Sequence, residues 1–314
     1  MEHKAADPAS SQGSAWQVSA TKSGDEREQV LSEIRRLGLE ANALELETLG
    51  YTVLRPDQVA PASMSARVRA AVIEAHQRQT GLQADLERGD SYSENDAPLG
   101  RGTFVRDMVF ADPVFEEVQT LPAVVALTSF LLGENYVLST SDSMIKGKGG
   151  VDLALHTDWY GFPEPMPRWP ISATCQWMLT DYSSENGGTA VVPGSHLTGR
   201  GPTPAEEAAK WDLAKPLVAP AGSLVIWQSG TWHCATPRSV PGVRISLHHL
   251  YVRWPLAAQA ATSSRVTPEM VDRNPPRFAT IMGLRRPVGF DVPDWARERF
   301  TPHSAFDVDR WTSV

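Results

Sequence analysis

Three residues have the types and the spacing of a metal site: His156, Asp158 and His233. In an extended segment, residues two apart point to the same side, so His156 and Asp158 can present an imidazole and a carboxylate together. His233 lies in a second β-like run, and a jelly roll brings such distant strands face to face. Two histidines and one carboxylate on one face of a metal, with the other positions open, are the ligand set of non-haem Fe(II) oxygenases.

Arg244 would place a cation beside that metal. It follows His233 across the turn at 237–242 and opens the next predicted strand. A hairpin of this length would bring an inward-facing guanidinium near the metal but outside its coordination shell, where it can bind a carboxylate through two hydrogen bonds. Ser246 points to the same side and could add a hydroxyl donor. Together these positions describe a metal with a dicarboxylate anchored beside it.

Other interpretations of these residues stay open. His-x-Asp occurs by chance in many chains, and Arg244 could pair with a surface acid instead. Arg238, a second candidate cation, is expected to be solvated in its Pro/Gly turn, and His76 is expected on a surface helix. The same residues would suit a non-catalytic, cupin-like metal- or small-molecule-binding protein. A zinc hydrolase is a less favoured alternative, because no glutamate is evidently placed near the metal motif to act as general base.

Aromatic residues follow the metal motif directly. Trp159 and Phe162 are predicted to wall the open coordination positions, where apolar surface would exclude water and hold an apolar or planar substrate. Ordinary core packing is the alternative. The segment 82–102 is polar and rich in turn residues, and its composition suggests a substrate-covering loop.

The elements that must position these residues change along the chain. Apolar spacing and glycine or proline boundaries predict a short strand and several helices, at 51–54 for the strand and at 26–49, 61–80, 113–119 and 121–132 for the helices. Short β-like runs between Gly/Pro turns then fill about 136–254, followed by Pro-rich helical pieces. This order predicts one α+β domain over 26–300, with N-terminal helices packed on a double-stranded β-helix (a jelly-roll, cupin-like core).

The two ends of the chain differ from this domain. Residues 1–25 are rich in Ala, Ser and charged side chains, which predicts a disordered leader. Residues 301–314 are predicted to be a C-terminal tail that follows the short helices.

The composition restricts the class of partner. The 314 residues include 29 Lys+Arg and 37 Asp+Glu, a formal net charge of −8, which argues against nucleic-acid or anionic-membrane binding. The longest apolar stretch, 121–132, is too short to span a bilayer. Two cysteines and the lack of a secretory signal favour the cytoplasm. A small-molecule substrate is therefore the predicted partner, and the oligomeric state is left unpredicted.

The motifs resemble the phytanoyl-CoA dioxygenase family. The likeness covers roughly 45–290 and rests on five segments: His156-Thr157-Asp158, the ENGG run at 185–188, the PGSH run at 193–196, Trp232-His233 and Arg244. It implies a double-stranded β-helix that uses Fe(II), 2-oxoglutarate and O2. By motif, His156, Asp158 and His233 would bind the iron, and Arg244 would bind the distal carboxylate of 2-oxoglutarate.

The resemblance also implies a reaction. It implies hydroxylation of an unactivated C–H bond in a small organic molecule, with decarboxylation of 2-oxoglutarate to succinate and CO2. A secondary-metabolite intermediate is the favoured substrate, and an acyl-CoA or an amino-acid-like solute is the alternative. A branch of the family that hydroxylates a small zwitterion has Gln and Asn on the strand before the metal motif, where this chain has Ser139 and Ser143.

Overall fold

Two antiparallel sheets form the centre of the molecule. The computed structural model describes residues 15–81, 85–89, 103–149, 153–159, 162–256, 260, 262–285 and 292–300, with side chains from residue 26 onward. In spatial order, the six-stranded sheet contains β1 (Tyr51–Leu54), β8 (Leu224–Gln228), β5 (Ser172–Met178), β10 (Arg244–Arg253), β3 (Tyr136–Lys146) and β2 (Thr103–Val105). The four-stranded sheet contains β4 (Leu153–His156), β9 (His233–Ala235), β6 (Thr189–Val191) and β7 (Lys215–Pro216).

The chain also contains helices, which confirms the predicted α+β class, and several of them pack on the outer face of the larger sheet. In chain order they are α1 (Ala15–Leu37), α2 (Glu40–Thr48), α3 (Pro56–Val59), α4 (Ala62–Thr80), α5 (Val114–Glu117), α6 (Pro122–Leu132), α7 (Pro204–Ala208), α8 (Lys210–Leu213), α9 (Pro268–Asp272), α10 (Pro276–Ile281) and α11 (Asp294–Phe300). Helix α6 packs on β5, α10 on β3, α4 on β2 and α2 on β1. Their apolar faces and the outward side chains of the large sheet form the main core.

The first predicted helix, 26–49, is two helices. Gly38 takes the left-handed conformation (φ 66°) between α1 and α2, a geometry that glycine adopts without the steric cost of a Cβ. Helix α1 begins at Ala15, so 15–25 of the predicted disordered leader are helical here, and 1–14 lie outside the described residues. No proline falls between Pro8 and Pro56 to interrupt such a helix.

Helix α6 is mostly apolar and mostly buried, with eight of its eleven residues in the interior. Pro122 occupies its first turn, and Gly133 (φ 78°) follows its last residue. Of the described helices, none alone is long and apolar enough to cross a membrane, although Val114–Thr120 and Pro122–Leu132 pass that test as a pair bent by 55°.

Strand β3 presents two different faces. Ser141 and Ser143 point to the helices: the Ser141 hydroxyl accepts from the Val109 amide (3.1 Å), and Ser143 Oγ lies 2.8 Å from His76 Nε2. His76 is therefore buried, and its predicted surface position is wrong. Ser139 lies at a register shift between β3 and β10, where alternation is interrupted, and neither Ser139 nor Ser143 is among the described residues that line the cavity between the sheets.

The ENGG segment is a tight turn built around Arg238. Gly187 has φ 74°, and a Cβ there would lie 2.9 Å from Arg238 Cβ and 3.0 Å from its amide nitrogen. Arg238 donates to the carbonyls of Asn186 (3.1 Å) and Pro241 (2.5 Å) and is only 7% exposed. The expectation that Arg238 is solvated is wrong, because its guanidinium joins two loops from the inside.

Candidate active site

The three predicted metal ligands come together between the two sheets. His156 ends β4 and is paired in register with His233, the first residue of β9. Asp158 lies two residues beyond β4, where its amide donates to the Ser229 carbonyl (3.1 Å). One ligand atom from each of the three side chains lies within 4.8 Å of the others, a spacing that suits a single metal ion.

The backbone holds both imidazoles in the same tautomer. Nδ1 of His156 lies 2.8 Å from the Ala154 carbonyl, and Nδ1 of His233 lies 3.0 Å from the Thr231 carbonyl. A carbonyl only accepts, so each Nδ1 carries the proton and each Nε2 presents its lone pair. This arrangement of the outer ring nitrogen is typical of metal-bound histidines.

The Asp158 carboxylate is held by two donors on one oxygen. Oδ2 accepts from the Thr174 hydroxyl and from the Trp227 indole N–H, both at 2.9 Å. Oδ1 lies 3.7 Å from His233 Nε2 and is left for a metal. Burial raises the pKa of Asp158, but the positive charge that His233 and His156 carry when protonated and these two hydrogen bonds outweigh it, so the pKa lies below its ordinary value.

Sequence reasoning missed these two donors. Trp227 lies in an apolar run, where core packing is the ordinary role of a tryptophan, and Thr174 carries no motif. The one available signal was their position on neighbouring strands: Thr174 and Trp227 are directly paired across β5 and β8. Their side chains therefore reach the same carboxylate from one sheet.

A cavity of about 220 Å³ extends from the three ligands along the inner face of the larger sheet. Strand β3 contributes alternate residues to its wall, which include Asp142, Met144 and Lys146. Strand β10 contributes Arg244 and His248. Apolar side chains complete it, namely Phe104, Leu153 and Leu250. The space between the metal ligands and Arg244 can hold a small molecule.

Arg244 is buried in this cavity without an acid. Its side chain is 2% exposed, and its contacts are Met144 Sδ, 2.7 Å from Nη2, and the Tyr182 ring, whose centroid is 5.8 Å from Cζ. Within the described part of the chain, no carboxylate lies at ion-pair distance and Nε has no hydrogen-bond partner. A buried charge is costly unless a partner compensates it, so Arg244 is suited to an anion that enters the cavity.

Lys146 brings a second cation to the same end of the cavity. It is paired in register with Arg244 on the neighbouring strand and is 3% exposed. Its ammonium donates to the Thr236 carbonyl (3.0 Å). The cavity thus has the three metal ligands at one end and two buried cations at the other.

Ser246 shares the inward face of β10 with Arg244, as expected. Its hydroxyl, however, lies 2.8 Å from His248 Nε2, and the residue is fully buried beneath that ring. Ser246 therefore supports His248 rather than facing the open cavity.

Trp159 and Phe162 are not among the described residues that line this cavity, and their contact with a substrate stays a prediction. Because Asp158 is bonded to Ser229, the chain turns towards the β8–β9 connection, where Trp159 packs against Gly230 and is 5% exposed. The Phe162 ring stacks edge-on against Trp159 at 5.1 Å and is 39% exposed. Of the predicted covering loop, 82–102, only 85–89 lie within the described residues.

The sequence also matches a model of a known protein family. The model for phytanoyl-CoA dioxygenase (PhyH) matches residues 46–246. The chain belongs to the phytanoyl-CoA dioxygenase family. This membership confirms the resemblance that the motifs indicated.

Three individual proteins that resemble this chain are each less than 30% identical to it. Dioxygenase af480 of Aspergillus fumigatus is 29% identical over 124 residues, which are 39% of each protein, so the chain spans well under two thirds of that relative. The epimerase SnoN from nogalamycin biosynthesis has a TM-score of 0.53 and 22% identity over 69% of this chain and 83% of its own. EctD from S. alaskensis has a TM-score of 0.55 and 17% identity over 69% and 77%. These likenesses support the predicted jelly-roll core.

Proposed function

We propose that this protein is a dioxygenase that hydroxylates an unactivated C–H bond of a small organic molecule. The observation that carries the proposal is a buried arginine without an acid, Arg244, in the same cavity as His156, Asp158 and His233. A metal alone would need only the three ligands. A dicarboxylate that binds the metal at one end needs a cation at the other, and Arg244 supplies it.

The side chains present fit both groups. Two imidazole nitrogens and one carboxylate oxygen suit Fe(II), and they leave coordination positions for 2-oxoglutarate and O2. Arg244, with Lys146 beside it, would hold the distal carboxylate. When bound, iron and 2-oxoglutarate supply the oxidising chemistry, in which O2 gives one oxygen atom to succinate and one to the substrate as CO2 is released.

The protein's own part is to bind and orient. Thr174 and Trp227 keep Asp158 Oδ2 occupied, so that Asp158 can offer one oxygen to iron and the remaining positions stay open. The non-catalytic cupin-like alternative needs no buried guanidinium, so Arg244 argues against it.

The substrate proposed is a secondary-metabolite intermediate. The apolar residues Phe104, Leu153 and Leu250 suit a carbon skeleton, and Thr140 and Asp142 add two polar groups to the same wall. SnoN acts in nogalamycin biosynthesis, which supports this class, while EctD was crystallised with 5-hydroxyectoine, which keeps an amino-acid-like solute as the alternative. A succinate-release screen across polycyclic metabolites, acyl-CoAs and amino-acid-like solutes tests the choice, and turnover with acyl-CoAs alone would refute it.

The reaction is tested by substrate-stimulated succinate release with Fe(II) and 2-oxoglutarate. His156→Ala and Asp158→Ala should abolish it, and Arg244→Ala should raise the KM for 2-oxoglutarate roughly tenfold or more, because a charge-assisted hydrogen bond is lost. Arg67→Ala is the matched control, since Arg67 forms an exposed pair with Glu117. An unchanged KM in the Arg244 variant would refute its proposed role.

A further inference from the structure

His248 faces the cavity between the metal ligands and Arg244. It lies on the inward face of β10, four residues along from Arg244, and is half-buried among the cavity walls. Its neighbour His249 points to the opposite face, where it is fully buried among the helices. Only one of the two adjacent histidines can therefore contact a molecule in the cavity.

The position of His248 along the cavity follows from the strand register. Arg244 reaches Met144, and Met144 is paired with Ser246, so the guanidinium lies near the Ser246 level of β10. Thr174, which binds the metal ligand Asp158, is paired with Leu250 at the other end. His248 is the inward residue between Ser246 and Leu250, and so lies between the guanidinium and the metal ligands.

Hydrogen bonds decide which nitrogen of His248 carries its proton. The Gln176 amide nitrogen lies 3.3 Å from His248 Nε2 and can only donate, and the same amide group donates to the Tyr182 hydroxyl (3.1 Å). The Gln176 carbonyl oxygen accepts from Thr189 (2.7 Å), which fixes the orientation of the amide. Nε2 of His248 is therefore an acceptor, and the Ser246 hydroxyl 2.8 Å away can donate to it as well.

The proton of His248 then lies on Nδ1. Burial lowers the pKa of His248 to about 3, with the charge of Arg244 acting in the same direction, so the ring is neutral and carries one N–H. Among the described residues, Nδ1 has no hydrogen-bond partner, yet it is not one of the solvent-inaccessible atoms left unpaired. Nδ1–H is thus a donor that is open to the cavity and held in place by Ser246 and Gln176.

We propose that His248 is a binding residue for 2-oxoglutarate, whose Nδ1–H donates to an oxygen of the dicarboxylate held between the metal and Arg244. The inference rests on the proposed function. Neutral His248 adds a directed donor without adding charge to a cavity that already holds Lys146 and Arg244. Ser246, expected to contact the cosubstrate itself, acts through this ring.

Replacing His248 by asparagine or by glutamine distinguishes which of its two ring nitrogens binds 2-oxoglutarate. The amide nitrogen of His248→Asn can occupy the place of Nδ1, whereas the amide of His248→Gln reaches the place of Nε2. His248→Leu removes both. His249→Asn applies the same change to the adjacent histidine on the helix-facing side and is the matched control.

The measurement is the dissociation constant of 2-oxoglutarate for the Fe(II)-loaded protein without O2, from the visible absorption band of the complex. We expect His248→Leu and His248→Gln to weaken binding by roughly 10- to 100-fold, the effect of losing a hydrogen bond to a charged group. His248→Asn and the His249→Asn control should stay within about threefold of wild type. The affinity for Fe(II) should be unchanged in all four variants.

The possible results separate this inference from the function on which it rests. If the wild type binds 2-oxoglutarate and the dissociation constant is the same in His248→Leu or His248→Gln, the role of His248 is overturned and the proposed function stands. A loss in His248→Asn equal to that in His248→Leu also overturns it, because the effect would then be packing and not the Nδ1 donor. Absence of 2-oxoglutarate binding by the wild type overturns both.

Discussion

Replacing Trp227 by phenylalanine should weaken metal binding without unfolding the protein. The substitution removes the indole N–H that binds Asp158 Oδ2 at 2.9 Å and keeps an aromatic ring beside His233, whose centroid is 4.8 Å from that of Trp227. Thr174 then remains the only described donor on Oδ2. The carboxylate is free to rotate or to bind a metal through both oxygens, and either movement disturbs the geometry for 2-oxoglutarate.

The size of the effect follows from the charge on the acceptor. A hydrogen bond to an ionised group contributes about 1.5–3 kcal/mol, which corresponds to roughly a 10- to 100-fold change in an equilibrium constant. Substitutions next to a metal ligand typically weaken metal binding over the same range. We therefore expect Trp227→Phe to raise the Fe(II) dissociation constant roughly tenfold or more. Adding Thr174→Val should raise it further, but by less than the product of the single effects, because both donors share one oxygen.

Anaerobic competition with a chromophoric iron chelator measures this dissociation constant, and thermal unfolding of the metal-free protein checks the fold. Trp177→Phe is the matched control, since Trp177 belongs to the helix-side core and its indole nitrogen has no partner among the described residues. A Trp227→Phe protein that unfolds normally and binds Fe(II) within twofold of wild type would refute the argument that Trp227 orients Asp158.

Three further outcomes are expected. Burial lowers the pKa of His76 to about 4, so between about pH 6.5 and 4 the unfolded chain takes up a proton that the folded chain does not. Up to about 3 kcal/mol of the free energy of unfolding should therefore be lost as the pH falls through this range. Urea titrations should show a shallower loss for the His76→Gln variant. Ser143→Ala should destabilise the fold by about 1 kcal/mol in the same assay and leave the affinity for 2-oxoglutarate unchanged, because Ser143 contacts His76 and not the cavity. Gly187→Ala should lower the free energy of unfolding by about 1–3 kcal/mol, because it combines a left-handed backbone with contact on Arg238, whereas Gly201→Ala, whose Cβ would meet nothing nearer than 3.7 Å, should change it little.

The metal ligands could be predicted because their chemistry is visible in residue type and spacing. His156 and Asp158 need only a local extended segment, and His233 needs only a partner strand within a jelly roll. Arg244 reaches the cavity by a different route from the predicted hairpin: β9 and β10 lie in different sheets, so the turn at 237–242 carries the chain from one sheet to the facing one. Strand β1 coincides with the predicted short strand at 51–54, and β3 to β10 lie within the stretch 136–254 that was predicted to hold β-like runs, whereas β2 (Thr103–Val105) was not predicted.

The two faces of β3 could not be told apart from its sequence. Alternation specifies which face is buried only when one face is apolar and the other polar. From Thr140 to Ser143 both faces carry hydroxyls or a carboxylate, so the pattern does not show that Ser141 and Ser143 point to the helices while Asp142 points to the cavity. A shift of one residue reverses every side chain, which is why the comparison with a zwitterion-binding branch pointed to Ser143 although its neighbours Asp142 and Met144 line the cavity.

Residues that act through another residue leave the weakest trace in the sequence. Thr174, Gln176 and Ser246 have ordinary types for strand positions, and each acquires a role only through a side chain on a neighbouring strand. Together with Trp227, they fix the rotation of Asp158 and the tautomer of His248, two properties that decide where a ligand oxygen can bind. On the proposed function, the larger sheet therefore supplies the groups that orient the ligand, while the smaller sheet carries the two histidines proposed to bind the metal, His156 and His233. Substitutions that change substrate choice should be sought on the β3 face that carries Asp142.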